Sequence, residues 1–227
     1  MKVAKISEIF MSLQGEGLYV GVPQIFVRFY GCNISCSFCD TKQSSYKTLT
    51  RDALLSKLLE YKDPHHSVSL TGGEPLLQAD FIQEFLREYD KFYKKRMYLE
   101  TNGILYKELS KVIDYVDIIA MDFKLPSSTG LKGFWKEHEN FLKIAKQKEI
   151  FVKAVITDST TIEDITRMSD IIKHVSYEIP VVLQPVSPLN GIKEASIKDI
   201  MHFKNVVGGS TNRVDIIKQT HKIIGIK

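Results

Sequence analysis

Short apolar runs rich in β-branched and aromatic residues recur along the chain, and stretches with helical spacing of apolar positions lie between most of them. The runs Gln24–Tyr30 (QIFVRFY), Ser67–Leu70, Met97–Glu100, Val116–Met121, Ile150–Ile156 and Val181–Leu183 predict strands, and Arg213–Gln219 predicts a further one. The intervening patterns predict helices over Arg51–Tyr61, Asp80–Lys95, Leu105–Ile113, Phe134–Gln147, Ile162–Val175 and Ser196–Val206, with Thr50 and Asp80 as candidate N-caps. Strands that alternate with helices imply a parallel sheet joined by right-handed crossovers. About six β/α units are too few for a closed eight-unit barrel. A partial, open barrel and a doubly wound sheet remain.

Polar and glycine-bearing segments follow the predicted strands repeatedly: GCNISCSFCDT after Tyr30, TGGEP after Leu70, ETNG around Glu100, DFK after Met121 and QPVSP after Leu183. In parallel α/β folds ligands bind at that edge. Composition changes this picture little. The 227 residues are 44% hydrophobic and 26% charged, as expected of a globular chain with a sizeable core, and no Pro/Gly/Ser-rich linker divides them, so a single domain over 1–227 is expected. A net charge of +4 with scattered lysines gives no case for a nucleic-acid partner. No apolar run reaches the roughly 20 residues of a membrane span, and the first residues show no signal-peptide pattern. A cytoplasmic location without a membrane partner is the expectation.

The three cysteines, Cys32, Cys36 and Cys39, form a C-x3-C-x2-C cluster in a loop over 31–41. Three so close together make a poor disulfide framework, and in a reducing compartment such clusters bind metal. A cubane held by three thiolates leaves one iron open to another ligand. A Cys3His zinc site using His65, His66 or a later histidine is the alternative, with three unrelated buried cysteines as the plain one. In TGGEP, Gly72 and Gly73 allow close backbone approach, and Glu74 can accept from an ammonium. Glu100, Thr101 and Asn102 offer carboxylate and amide groups to a ribose, although Asn102-Gly103 is equally an ordinary turn. Lys124 and Gln184 sit at strand ends without further signal, and Trp135 is expected to pack a helix.

The cysteine spacing, with Phe38 before the last cysteine and GGE after the following strand, resembles the radical S-adenosylmethionine enzymes. Ser7–Gly17 (SEIFMSLQGEG), Gly21–Gln24 (GVPQ), Arg28, Asp40-Thr41 and Thr220-His221-Lys222 extend the likeness over nearly the whole chain. Together they resemble the 7-carboxy-7-deazaguanine synthase family. That resemblance implies a modified partial barrel, usually a homodimer, with a 4Fe-4S cluster, S-adenosylmethionine and a magnesium ion. It implies conversion of 6-carboxy-5,6,7,8-tetrahydropterin to 7-carboxy-7-deazaguanine on the route to queuosine and other 7-deazapurines. The cluster would be reduced by a flavodoxin or ferredoxin, and a 5′-deoxyadenosyl radical would take hydrogen from C6 of the pterin.

Position by position, the resemblance gives Leu13, Gln14, Gly15, Arg28 and Thr71 to the substrate, with Arg28 on its carboxylate. It gives Thr41 to magnesium. It gives Phe38, Asp40, Gly73 and Asp122–Lys124 (Asp122, Phe123, Lys124) to S-adenosylmethionine, with Gly72 and Glu74 in the motif for its amino group, and Glu100 and Gln184, from their own residue types and positions, are taken as further cofactor contacts. The Asp122–Lys124 segment departs from the Ser-Pro-Lys-like pattern of many relatives. Two other readings stand beside this one. An activating enzyme for a glycyl-radical protein would share cluster and cofactor, and a zinc-stabilised binding module would have no catalysis.

Overall fold

The computed structural model describes residues 2–41, 43–189 and 191–225. They build one open nine-stranded sheet in the order β3 (Lys47–Thr50), β1 (Val3–Leu13), β2 (Pro23–Phe29), β4 (Ser67–Gly72), β5 (Arg96–Thr101), β6 (Ile118–Asp122), β7 (Glu149–Ile156), β8 (Val181–Pro185) and β9 (Val214–Ile216), with the first and last of these at its edges. The predicted strands appear as β2 (Pro23–Phe29), β4 (Ser67–Gly72), β5 (Arg96–Thr101), β6 (Ile118–Asp122), β7 (Glu149–Ile156), β8 (Val181–Pro185) and β9 (Val214–Ile216). Every neighbouring pair among these is parallel. An open, mostly parallel β/α sheet is thus what the alternation predicts.

Two strands are additions. β1 (Val3–Leu13) pairs antiparallel with both β2 and β3 (Lys47–Thr50). Only Ala4 and Ile6 of β1 are buried, and its remaining residues interleave apolar with polar, so its apolar signal is weak.

The helices α1 (Arg51–Leu59), α2 (Ala79–Phe92), α3 (Tyr106–Val112), α4 (Pro126–Thr129), α5 (Trp135–Ala145), α6 (Ile162–Val175), α7 (Ile197–Gly208) and α8 (Thr220–Ile224) follow the strands. Helix α2 buries Phe81, Ile82, Phe85, Leu86 and Tyr89, a one-sided stripe at helical spacing. Thr50 caps α1 through the Ala53 amide, and Thr161 and Ser196 cap α6 and α7 in the same way. Asp80 is no cap: α2 starts a residue earlier, and the Asp80 carboxylate pairs with Lys111 at 2.7 Å instead.

The period of two along each strand divides the core. Outward residues such as Leu99, Ile119, Val152 and Leu183 join the large cluster beneath the helices. Inward residues Tyr98, Ile118, Ala120, Phe151 and Val182 form a smaller apolar layer inside the curve of the sheet. One step nearer the C-terminal ends, the inward positions become Glu100, Asp122, Lys153 and Gln184. Strand alternation alone therefore puts a polar surface on an apolar plug at the edge where ligands bind.

Candidate active site

A cleft of about 830 Å³ opens above that polar surface, lined by all three cysteines, Arg28, Thr71, Glu100, Lys153 and residues near 220. The cysteine loop is braced at three points. Ser37 donates from its amide and hydroxyl to the Thr129 and Ser128 carbonyls of α4, both at 3.0 Å. The Cys39 amide donates to the Cys36 carbonyl at 3.1 Å. Gln43 clasps the start of the loop, accepting from the Gly31 amide at 2.8 Å and donating to the Phe29 carbonyl at 2.6 Å. The cysteines are free thiols, Cys32 and Cys39 exposed and Cys36 partly so. Burial raises the Cys32 thiol and pushes Cys36 up to about 11.

The Gly72–Gly73 turn lies against the first limb of this loop. Gly72 has φ +132°, and a methyl on Gly73 would lie 2.0 Å from the Gly31 carbonyl oxygen. The contact brings the Glu74 amide to within 2.8 Å of that same carbonyl. The side chain of Glu74, expected to meet a cofactor ammonium, turns into the protein. It is fully buried and accepts from the Thr101 hydroxyl (2.9 Å) and the Asn102 and Leu76 amides (2.8 and 3.1 Å). Burial pushes it up to about 7 against these donors.

Phe123 also departs from its expected contact. Its ring is buried, 4.1 Å from the His138 ring and 6.0 Å from Trp135, so its side chain belongs to the core. His138 is a core histidine: its Nε2 meets the Asn102 carbonyl at 3.1 Å, and burial lowers it to about 3, so it is neutral.

The floor carries an alternating row of charges. Glu16 pairs with Lys153, Lys153 reaches Asp122 at 3.5 Å, and Asp122 holds Lys124 at 2.8 Å. Asp122 and Lys153 are register partners on adjacent strands, so β6–β7 pairing builds the middle of the row. Burial alone would raise Glu16, but the Lys153 ammonium and a bond from Gln219 hold it at about 2. Asp122 is likewise lowered: Lys124 and Lys153 outweigh its burial. Lys124 also lies 5.4 Å above the Phe38 ring, which ties the row to the cysteine loop.

On the opposite side Arg28 faces Glu8 at 3.5 Å and Phe10 at 5.5 Å, beside its register partner Thr71. Thr71 donates to one oxygen of Glu100 and Gln14 to the other, both at 2.7 Å. Gln14, given to the substrate on resemblance, has its polar groups engaged within the protein. Its amide nitrogen bridges Glu100 and Gln24, its side-chain oxygen accepts from the Glu16 amide, and its backbone pairs with Val22 and Gly21.

Leu13 and Gly15 border the cleft, and Thr220 donates its amide to the Gly15 carbonyl at 2.9 Å. A methyl on Gly15 would come within 2.3 Å of the His221 ring. Lys222 pairs with Asp40 next to Thr41, so α8 closes one side of the cleft.

Sequence reasoning missed Glu16, Lys153, Gln43 and Gln219 as members of this site. Lys153 did carry a signal, as a lone cation in the apolar run IFVKAVI.

Two observations test the fit of an iron–sulfur cluster and a sulfonium amino acid. The donor set is three unpaired thiols on one loop, the soft ligands that such clusters take. Across from it, Asp122 Oδ1 and Gln184 Oε1 are buried at the cleft without a hydrogen-bond partner, as acceptors awaiting donor groups would be. The residues fit. Among the described residues no three His, Cys, Asp or Glu side chains gather around a single-ion position.

Comparison with known proteins agrees with this geometry. Residues 26–176 match the model of the Radical SAM superfamily. The chain belongs to that superfamily, whose members imply a 4Fe-4S cluster and S-adenosylmethionine. It is 35% identical to the 7-carboxy-7-deazaguanine synthase of Geobacter sulfurreducens, over 98% of this chain and 97% of that one. The enzyme of the same name from Archaeoglobus fulgidus is 34% identical, over 99% of each chain. Within the superfamily, then, this chain is a member of the 7-carboxy-7-deazaguanine synthase family, and its role lies in 7-deazapurine biosynthesis. The crystal structure of QueE from Escherichia coli shares the fold, with a TM-score of 0.67 and 19% identity over 96% of this chain and 95% of that one. A radical SAM methyltransferase from Sphaerobacter thermophilus shares it at TM-score 0.64 and 14% identity, covering 87% and 66%.

Proposed function

We propose that this chain, as one domain over 1–227, is a carbon–nitrogen lyase that converts 6-carboxy-5,6,7,8-tetrahydropterin to 7-carboxy-7-deazaguanine with release of ammonia. The observation that carries the reading is one cleft lined together by three free thiols, by Arg28 and by the charged residues Glu16, Asp122 and Lys153. Its volume suits a cofactor and a small substrate side by side.

When bound, the cluster and S-adenosylmethionine supply one-electron cleavage of a carbon–sulfur bond and the hydrogen abstraction that it starts. The residues bind, orient and exclude water. Cys32, Cys36 and Cys39 hold the cluster. Gly72 and Gly73 keep the turn flat against the loop, and Phe38, Asp40, Asp122, Lys124 and Gln184 face the cofactor. Glu74 acts indirectly, by holding the Thr101–Asn102 segment, and Phe123 by packing behind Lys124.

Arg28 takes the substrate carboxylate, because a guanidinium can fork onto both oxygens of a carboxylate, a closer geometry than its 3.5 Å contact with Glu8. Glu100, expected at the cofactor, is bonded to Thr71 and Gln14 and on this reading meets the pterin with Thr71 from the same wall, with Leu13 and Gly15 bordering the ring. Thr41 offers magnesium one oxygen, with substrate and water completing the shell. A flavodoxin or ferredoxin donor, a homodimer and a cytoplasmic location belong to this reading. The described residues include no helix long and apolar enough to cross a membrane.

The test is turnover by the anaerobically reconstituted protein. With reductant, S-adenosylmethionine and the carboxylated pterin, a deazapurine absorbance is expected, and Cys36→Ala should abolish both the brown colour and the product. A colourless protein with stoichiometric zinc would mean a binding module. Cofactor cleavage without product would move the substrate to a polypeptide.

A further inference from the structure

We propose that Asn102 sets the reduction potential of the cluster by donating an N–H···S hydrogen bond to Cys32. The side-chain nitrogen of Asn102 lies 3.9 Å from Cys32 Sγ, within reach of a bond to sulfur, and 2.7 Å from Asn33 Oδ1, so each of its two hydrogens has a direction. The orientation of the amide is determined by its other end. Asn102 Oδ1 accepts from the Ile104 amide at 3.2 Å, so it is the NH2 group, not the oxygen, that faces the thiol.

The backbone of Asn102 is held just as firmly. Its amide donates to Glu74 Oε2 at 2.8 Å, and its carbonyl meets His138 Nε2 at 3.1 Å. The residue is only 5% exposed, so water does not compete with it for the sulfur. All the polar atoms of this asparagine are therefore engaged, and only the contact with Cys32 leads out of the protein framework toward the ligand set.

The physical consequence has one sign. Reduction adds an electron to the cluster, and part of that charge resides on the ligating sulfurs. A donor aimed at one of them stabilises the reduced state more than the oxidised one and raises the potential. Because the donor is buried and immobile, the effect is present before any cofactor binds. Glu74 and His138 then serve the same end as positioning residues, acting through the Asn102 backbone. This inference rests on a cluster seated at Cys32, which membership of the superfamily implies.

The experiment is a potentiometric titration of the reconstituted enzyme, followed by electron paramagnetic resonance, for the wild type, Asn102→Asp and Asn102→Ser. Asn102→Asp keeps an oxygen for the Ile104 amide and has no donor for the sulfur, and Asn102→Ser keeps an oxygen on a side chain too short to carry its hydroxyl to Cys32. The expected result is full iron content and an unchanged visible band, with the potential shifted downward in both and further in the aspartate. A second measurement does not depend on Asn102 variants folding. Protein carrying Asn33→Ala and labelled with nitrogen-15 in asparagine side chains should show a hyperfine coupling from that nitrogen to the reduced cluster.

Equal potentials in cluster-loaded wild type and variants, or no such coupling, would overturn the assignment. If the Asn102 variants fail to load, the coupling decides alone. A wild-type protein that takes up no cluster at all would instead defeat the radical-enzyme reading, and is recognised by its iron content.

Discussion

Replacing Lys153 by Met removes the one cation between Glu16 and Asp122 and leaves both carboxylates in the cleft floor. The carboxyl of Glu16 sits at about 2 rather than its ordinary 4.5, chiefly because the Lys153 ammonium overcomes its burial. A difference of that size corresponds to about 3 kcal/mol of preference for the ionised form in the folded protein. Breaking a buried pair by removing one partner costs a similar amount, ~3–5 kcal/mol. Lys153→Met should therefore lose about 3 kcal/mol at pH 7, read as a fall of roughly 6–12 °C in Tm for a chain of this size.

The pH dependence follows from the sign. A carboxyl depressed on folding stabilises the fold above pH 4.5, and the contribution disappears as pH falls toward 2. In the variant, Glu16 keeps its burial without the ammonium, so acid protonates it readily. The gap between wild type and variant should be full at pH 7 and should narrow steeply by pH 3, measured by urea denaturation of the metal-free chain. A variant that unfolds within about 2 °C of wild type at pH 7, or a gap that widens in acid, would refute the ionic reading of the floor. Adding Glu16→Gln to Lys153→Met should recover part of the loss, because the stranded charge is then gone.

Gly73→Ala puts a methyl 2.0 Å from the Gly31 oxygen, where only backbone can yield. It should weaken S-adenosylmethionine binding at least tenfold by forcing apart the turn and the cysteine loop, and calorimetry giving wild-type affinity would contradict that. Arg28→Ala should raise the pterin Michaelis constant roughly tenfold to a hundredfold, the range of a charged hydrogen bond of ~1.5–3 kcal/mol. Its iron content should stay normal, and unchanged kinetics would remove Arg28 from the substrate.

The parts legible in the sequence are those with local signals. Most of the parallel strands declare themselves as apolar runs because both of their faces are largely covered, and α6 was readable to the residue from its amphipathic spacing. β1 was not, since it borders the cleft and carries Ser7 and Glu8 there, where a buried strand would carry valine. The cysteines were legible by spacing alone. Glu74 was assigned the wrong neighbours because a motif names a residue without saying which way its side chain turns. Glu16 and Gln219 form a bond across 203 positions, which no pattern in a window can reveal.

That separation has a bearing on how the protein matures. The three cysteines lie within eight consecutive residues, and Gln43 ties off their loop only a few positions later. Closing so short a segment is entropically cheap, whereas joining the two distant halves of the floor requires most of the polypeptide to be in place. A cluster held by these cysteines would therefore need little more than local chain to be seated, whereas the pocket beside it comes into being only with the finished fold. Mild denaturant should accordingly silence the enzyme before it bleaches it.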